Sequence, residues 1–79
     1  MKIPVIKKLV QEHNDEALKL AEEALLEEQT PAIDIEGEDE GEQLTHVLAA
    51  REILGYMSQG QSFPEALRNY TQRVRKSIS

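Results

Sequence analysis

Residues 56–70 read YMSQGQSFPEALRNY. The stretch joins the apolar tail of one helix to the capped start of the next. Gly60 supplies the permissive backbone on which helices end. Ser62 and Glu65 stand three residues apart, the spacing of a capping box, and Pro64 falls in a first turn, where proline is tolerated. Phe63, Ala66, Leu67, Tyr70, Val74 and Ile78 then recur at helical spacing and predict one apolar face over 63–78. Arg73, Arg75 and Lys76 occupy the last turns, where the helix dipole favours cations. The reading is a helical hairpin, and it makes the chain all-α.

Working back from the hairpin, its first helix is expected over about 42–59, starting at Glu40 or Glu42. Leu44, Val47, Leu48, Leu54 and Met57 form its expected inner stripe, with Ala50 and Ile53 on the flank. In the N-terminal part Ile3, Ile6, Val10, Ala17, Leu18, Ala21 and Leu25 recur near helical spacing. The run HND at 13–15 predicts a break, with Asn14 as N-cap and Asp15 and Glu16 favourably placed in the first turn. Asp15 and Lys19 would then form an i,i+4 pair. This places helices over about 4–13 and 15–29, with one continuous helix over 4–28 as the competing reading, since no Gly or Pro forces the break.

Between the two halves lies EEQTPAIDIEGEDEGE. The Thr30–Pro31 step disfavours helix at the threonine. Ile33 and Ile35 alternate with charge, too few for a sheet but suited to pinning a loop onto helices. The expected architecture is a single domain over 1–79: a small three- or four-helix bundle with a C-terminal helical hairpin and an acidic loop at 30–41.

Composition narrows the function. Seventy-nine residues are near the lower limit for a single sufficient core, and three aromatics leave the packing to Leu, Ile, Val and Ala. A homodimer would bury more surface. The absence of cysteine removes thiol catalysis, disulfides and cysteine-based metal sites, and fits a reducing cytoplasm. The start MKIPVIKKLV has no apolar run of signal-peptide length, and no segment approaches the roughly 20 apolar residues of a membrane span. The expected setting is cytoplasmic, away from membranes. Charge is divided unevenly: residues 1–41 carry four Lys against twelve acidic residues, net −8, and residues 42–79 carry five basic against three acidic, net +2.

Several chemistries are tested by this pattern. A DNA-reading hairpin needs an exposed face such as Arg68, Asn69, Gln72, Arg73, Arg75 and Lys76, but the acidic half opposes the counterion release that drives such binding. Nucleic acid is therefore a disfavoured partner, and a solvated face is the simpler reading. A tetratricopeptide-like hairpin matches Phe63, Ala66 and Tyr70 in spacing, yet Ala17 and Ala66 lie 49 apart where the repeat needs about 34, and one hairpin does not make an array. The cluster Asp34, Glu36, Glu38, Asp39, Glu40 and Glu42 invites a calcium loop. Counting from Asp34 puts Asp39 at position 6 and Thr45 at 12, and counting from Glu36 puts Gly41 at 6 but Val47 at 12. Neither frame fits an EF-hand, and a flexible acidic loop is expected. His13 and His46 read as surface or boundary residues without the Glu-x-x-His spacing of di-iron bundles. No nucleophile context and no Gly-rich phosphate loop is present, so no enzyme activity and no cofactor or metal is expected.

The start MKIPVIKKLVQ, the acidic middle and the ending AAREILGYMSQGQSFPEALRNYTQRVRKSIS resemble a family of short uncharacterised bacterial proteins of the Bacteroidetes–Chlorobi type. The resemblance spans nearly the whole chain, with KIPVIKKL and the Met57–Leu67 turn its most specific parts. It implies an all-helical cytoplasmic protein and transfers no site residue. The expectation is a non-enzymatic interaction or accessory module acting on a protein partner, with a homodimer as one form. Its candidate surfaces are the acidic loop (Asp34, Glu36, Glu38, Asp39, Glu40, Glu42) and the basic end (Arg68, Arg73, Arg75, Lys76), and the two are expected to meet within one chain or across a dimer.

Overall fold

Asn14 breaks the N-terminal region into two helices. In the computed structural model, which describes residues 2–78 and the side chains of 2–76, α1 spans Ile3–Glu12 and α2 spans Asp15–Leu26. The Asn14 backbone is extended, and its Oδ1 accepts the Ala17 N–H at 2.8 Å, as an N-cap requires. A side-chain acceptor thus does the work that no Gly or Pro was present to do. The continuous helix is excluded.

The hairpin is formed by α3, Glu40–Ser58, and α4, Phe63–Ile78. Gly60 has φ +100°, its N–H bonds to the Met57 carbonyl, and the Gln61 N–H reaches back to Tyr56. This is a Schellman ending, which satisfies carbonyls the helix leaves orphaned. Ser62 then caps α4: its Oγ accepts the Glu65 N–H and its hydroxyl donates to the Glu65 carboxylate. The Ile78 side chain, expected on the α4 face, lies outside the described residues.

Helix α2 ends at Leu26, three residues short of the expected 29. The reason is a second Schellman ending, in which the Gln29 N–H bonds to the Ala24 carbonyl at 2.7 Å. It places Glu28 at φ 59°, where a side chain costs about 1–2 kcal/mol that glycine avoids. Glu28→Gly is therefore expected to stabilise the chain by about 0.5–1 kcal/mol, read as a raised urea midpoint.

Helix α3 is the hub. It packs against α1, α2 and α4, and those are the principal helix contacts of the described residues. Its buried residues are His46, Val47, Ala49, Ala50 and Ile53. The expected stripe is thus rotated by roughly a quarter turn at 100° per residue. Leu48 is 47% exposed, and Leu44, Leu54 and Met57 are half-buried flanks. Small Ala49 and Ala50, both fully buried, let neighbouring helices approach the α3 backbone closely. Around this axis Val5, Ile6, Leu9 and Val10 of α1, Leu18, Ala21 and Leu25 of α2, Ile35 of the connecting loop, and Ala66 and Tyr70 of α4 complete the core. Ile3, expected on the inner face of α1, is instead 48% exposed. The fold is an all-α four-helix domain with no strand among the described residues.

Candidate protein-interaction site

Between α2 and α3 the acidic segment is tied down along its backbone. Ile35 is buried in the core, and Ile33 packs against its edge, as the loop-pinning role of these two residues requires. The Glu36 carbonyl accepts a hydrogen bond from His46 Nδ1 at 2.8 Å, and the Lys2 backbone N–H donates to His46 Nε2 at 3.0 Å. A backbone N–H aimed at Nε2 needs a lone pair there, so the imidazole is neutral with its proton on Nδ1. His46 is fully buried. This corrects the expectation of a surface or boundary histidine. A polar ring can be buried here because both nitrogens are satisfied by backbone, one from the start of α1 and one from the loop.

Of the six carboxylates of the cluster, Glu38 and Glu40 are exposed, and the other four divide into two sets. Asp39 caps α3, its Oδ1 accepting the Glu42 N–H at 2.8 Å, and Glu42 Oε1 accepts the Glu38 N–H at 3.1 Å. These two close the loop on itself and favour the positive end of the helix dipole. Asp34 and Glu36, by contrast, keep exposed side chains. They line a cleft of about 290 Å³ together with Val5, Lys8, Leu9, Glu12 and His13 of the α1 region and Ile33 of the loop. The expected free acidic loop is thus a fixed one, in which two carboxylates face a recess.

Close approach holds its middle. A Cβ added to Gly37 would lie 2.7 Å from Gln43 Cγ and 2.9 Å from the Gln43 backbone nitrogen. Only the first of these can turn aside. Gly37→Ala is expected to destabilise by about 1–3 kcal/mol, the usual range for overpacking, with amide exchange at 36–38 accelerating.

The basic end has its own partners. Arg73 pairs with Glu52 of α3, so this residue of the expected cationic surface is engaged inside the hairpin. Arg68, Arg75 and Lys76 are exposed on α4. Arg51, which the sequence pattern did not single out, joins α3 to α2 through Asp15 at 3.0 Å and Glu22 at 2.8 Å. Both contacts raise its pKa further, so it stays charged at every accessible pH. Asp15 thus pairs with α3 at the surface instead of with Lys19 along its own helix. A lone arginine at the edge of an apolar helix face carries no sequence signal for such a bridge.

Tyr70 packs its ring into the α3–α4 seam. Burial is the largest cause of its raised pKa, the Glu52 charge adds to it, and Arg73 opposes it. The folded state therefore favours the neutral phenol. Its contribution is intact below about pH 10, the ordinary tyrosine value, and is lost as pH rises through and beyond it. Urea unfolding at pH 9 and at pH 11 should show this alkaline loss, and Tyr70→Phe should lessen it.

A second recess lies on the other side of Ile33. It has a volume of about 330 Å³ and is lined by Ala17, Leu20, Ala21 and Ala24 of α2 with Thr30, Ala32 and Ile33 of the loop. Among the described residues no group of three or more His, Asp or Glu is placed to hold a metal ion. No buried polar side-chain atom there lacks a hydrogen-bond partner. Nor is any described helix long and apolar enough to cross a membrane. Of the tetratricopeptide-like positions, Ala66 and Tyr70 are buried in the core of this domain and Phe63 packs against it.

No curated protein and no solved structure matches this chain. The profile of DUF6952, a family of unknown function, matches residues 1–79, and the chain belongs to that family.

Proposed function

We propose that this chain is a non-enzymatic protein-interaction module, cytoplasmic and of the short bacterial Bacteroidetes–Chlorobi type. It presents Asp34 and Glu36 to a basic partner. One observation carries the reading: the backbone under these two carboxylates is anchored at Ile35 and at the Glu36 carbonyl, while their side chains stay exposed and line a cleft against α1. A preorganised surface avoids the ordering cost that a flexible loop would incur on binding. Rim charges of this kind steer encounter and set salt dependence more than they add affinity.

The test is affinity capture with the wild-type chain beside Asp34→Asn/Glu36→Gln, each at low and high salt. Both substitutions are at exposed positions, so the fold should be retained, which a thermal melt checks. The reading requires a defined protein held by the wild type at low salt and lost from the variant. Recovery of the same proteins by both chains, at either salt, removes it. Retention of duplex DNA by the wild type would transfer the function to the face around Arg68.

A further inference from the structure

The two recesses flank one residue. Ile33 lines both the charged cleft against α1 and the apolar groove against α2, so the two form adjacent compartments of one surface. The groove has an apolar knob at its edge, since Leu20 is 59% exposed. The small alanines of its lining, Ala17, Ala21, Ala24 and Ala32, leave room for an incoming side chain. Single exposed leucines are ordinary; one beside an unfilled apolar recess is a docking geometry.

Charge selects the occupant. Glu12, Asp34 and Glu36 surround the first compartment against a single ammonium, Lys8. Glu16 and Glu23 of α2 are exposed at i−4 and i+3 from Leu20, Glu27 is exposed just past the helix end, and the three carry the same sign beside the groove. A second copy would bring the same acidic surface onto itself, which repulsion disfavours.

We infer that this surface binds a cationic amphipathic helix of a partner protein, with an apolar side chain in the α2 groove and a Lys or Arg in the cleft beside Asp34 and Glu36. The inference rests on the reading of the chain as an interaction module and names where and what it binds. Recognition of this kind reads apolar anchors at helical spacing, with flanking charge choosing the sign of the partner.

The probe is a synthetic peptide of Leu and Lys, about 14 residues long to sustain a helix, with the leucines on one face. Its control is the same composition in scrambled order. Titrated into the full-length ¹⁵N-labelled chain, the amphipathic peptide should shift amides of Leu9, Leu20, Ala24 and Ile33. Leu20→Ser and Ala24→Gln, both outside the buried core, should each weaken it about tenfold. Asp34→Asn/Glu36→Gln should flatten its salt dependence.

Equal binding of the scrambled peptide reduces the effect to bulk charge and overturns the inference, as do shifts confined to α4. So does a concentration-dependent doubling of mass, without peptide, that Leu20→Ser abolishes, because the occupant is then a second copy. If no peptide binds while capture still depends on Asp34 and Glu36, this inference fails and the interaction reading stands. If capture is also independent of them, both fail.

Discussion

Ile53→Ala is expected to cost about 2–5 kcal/mol, the range for removing a large aliphatic side chain from a packed core. Ile53 is fully buried on α3, the helix against which α1, α2 and α4 all pack. A cavity there weakens the common axis instead of one peripheral contact. A domain of this length has about 4–12 kcal/mol of total stability at the usual 0.05–0.15 per residue. The substitution therefore removes a large share of the margin. Urea denaturation followed by circular dichroism should show a lowered midpoint with little change in slope. Leu48→Ala, at a position 47% exposed on the same helix, should change stability by no more than about 0.5 kcal/mol. Equal effects at the two positions would contradict the burial of Ile53 and the exposure of Leu48 on this helix.

The second large effect is expected at His46. His46→Ala removes a fully buried ring and both of its backbone hydrogen bonds, to Lys2 and to Glu36. Each bond contributes about 0.5–1.5 kcal/mol, more where the abandoned partner stays dry, and the lost packing adds to this. A total of about 2–4 kcal/mol is expected. The location of the damage is the sharper test. Since His46 ties the start of α1 and the loop to α3, amide exchange should quicken at 2–6 and at 34–38 while α4 keeps its protection relative to the global limit. A uniform change across the chain would reduce His46 to ordinary core filling. The same variant loosens the backbone beneath Glu36, and so should also weaken any partner that recognises the loop.

How much of this was legible beforehand depended on whether the signal was local. Gly60, Ser62 with Glu65, and Asn14 act on backbone groups a few residues away, and their caps sit where the sequence places them. The Glu28 ending was hidden because nothing in its sequence marks a left-handed position. Within the candidate site, Ile33 and Ile35 were readable as pins from their alternation with charge. The roles of Asp39 and Glu42 were half readable, since a side-chain acceptor three residues before a glutamate is a helix-start pattern. His46 was misread because a histidine in a helix looks solvated until its distant backbone partners are known, and the one on Lys2 is 44 residues away.

By itself the amino-acid sequence determined the all-α class, the C-terminal hairpin with its joint at Gly60 and Ser62, the acidic character of the connecting segment and the absence of thiol chemistry, because those follow from short-range bonding and composition; it left the N-terminal part open between one helix and two. Tertiary structure alone decided which face of α3 is buried, which carboxylates of the loop line the cleft against α1, and that Ile33 borders two recesses. A helix covered on several sides has no single apolar stripe to read. Its orientation follows from how α1, α2 and α4 share the space around Ala49 and Ala50, and that sharing is a property of the packed molecule.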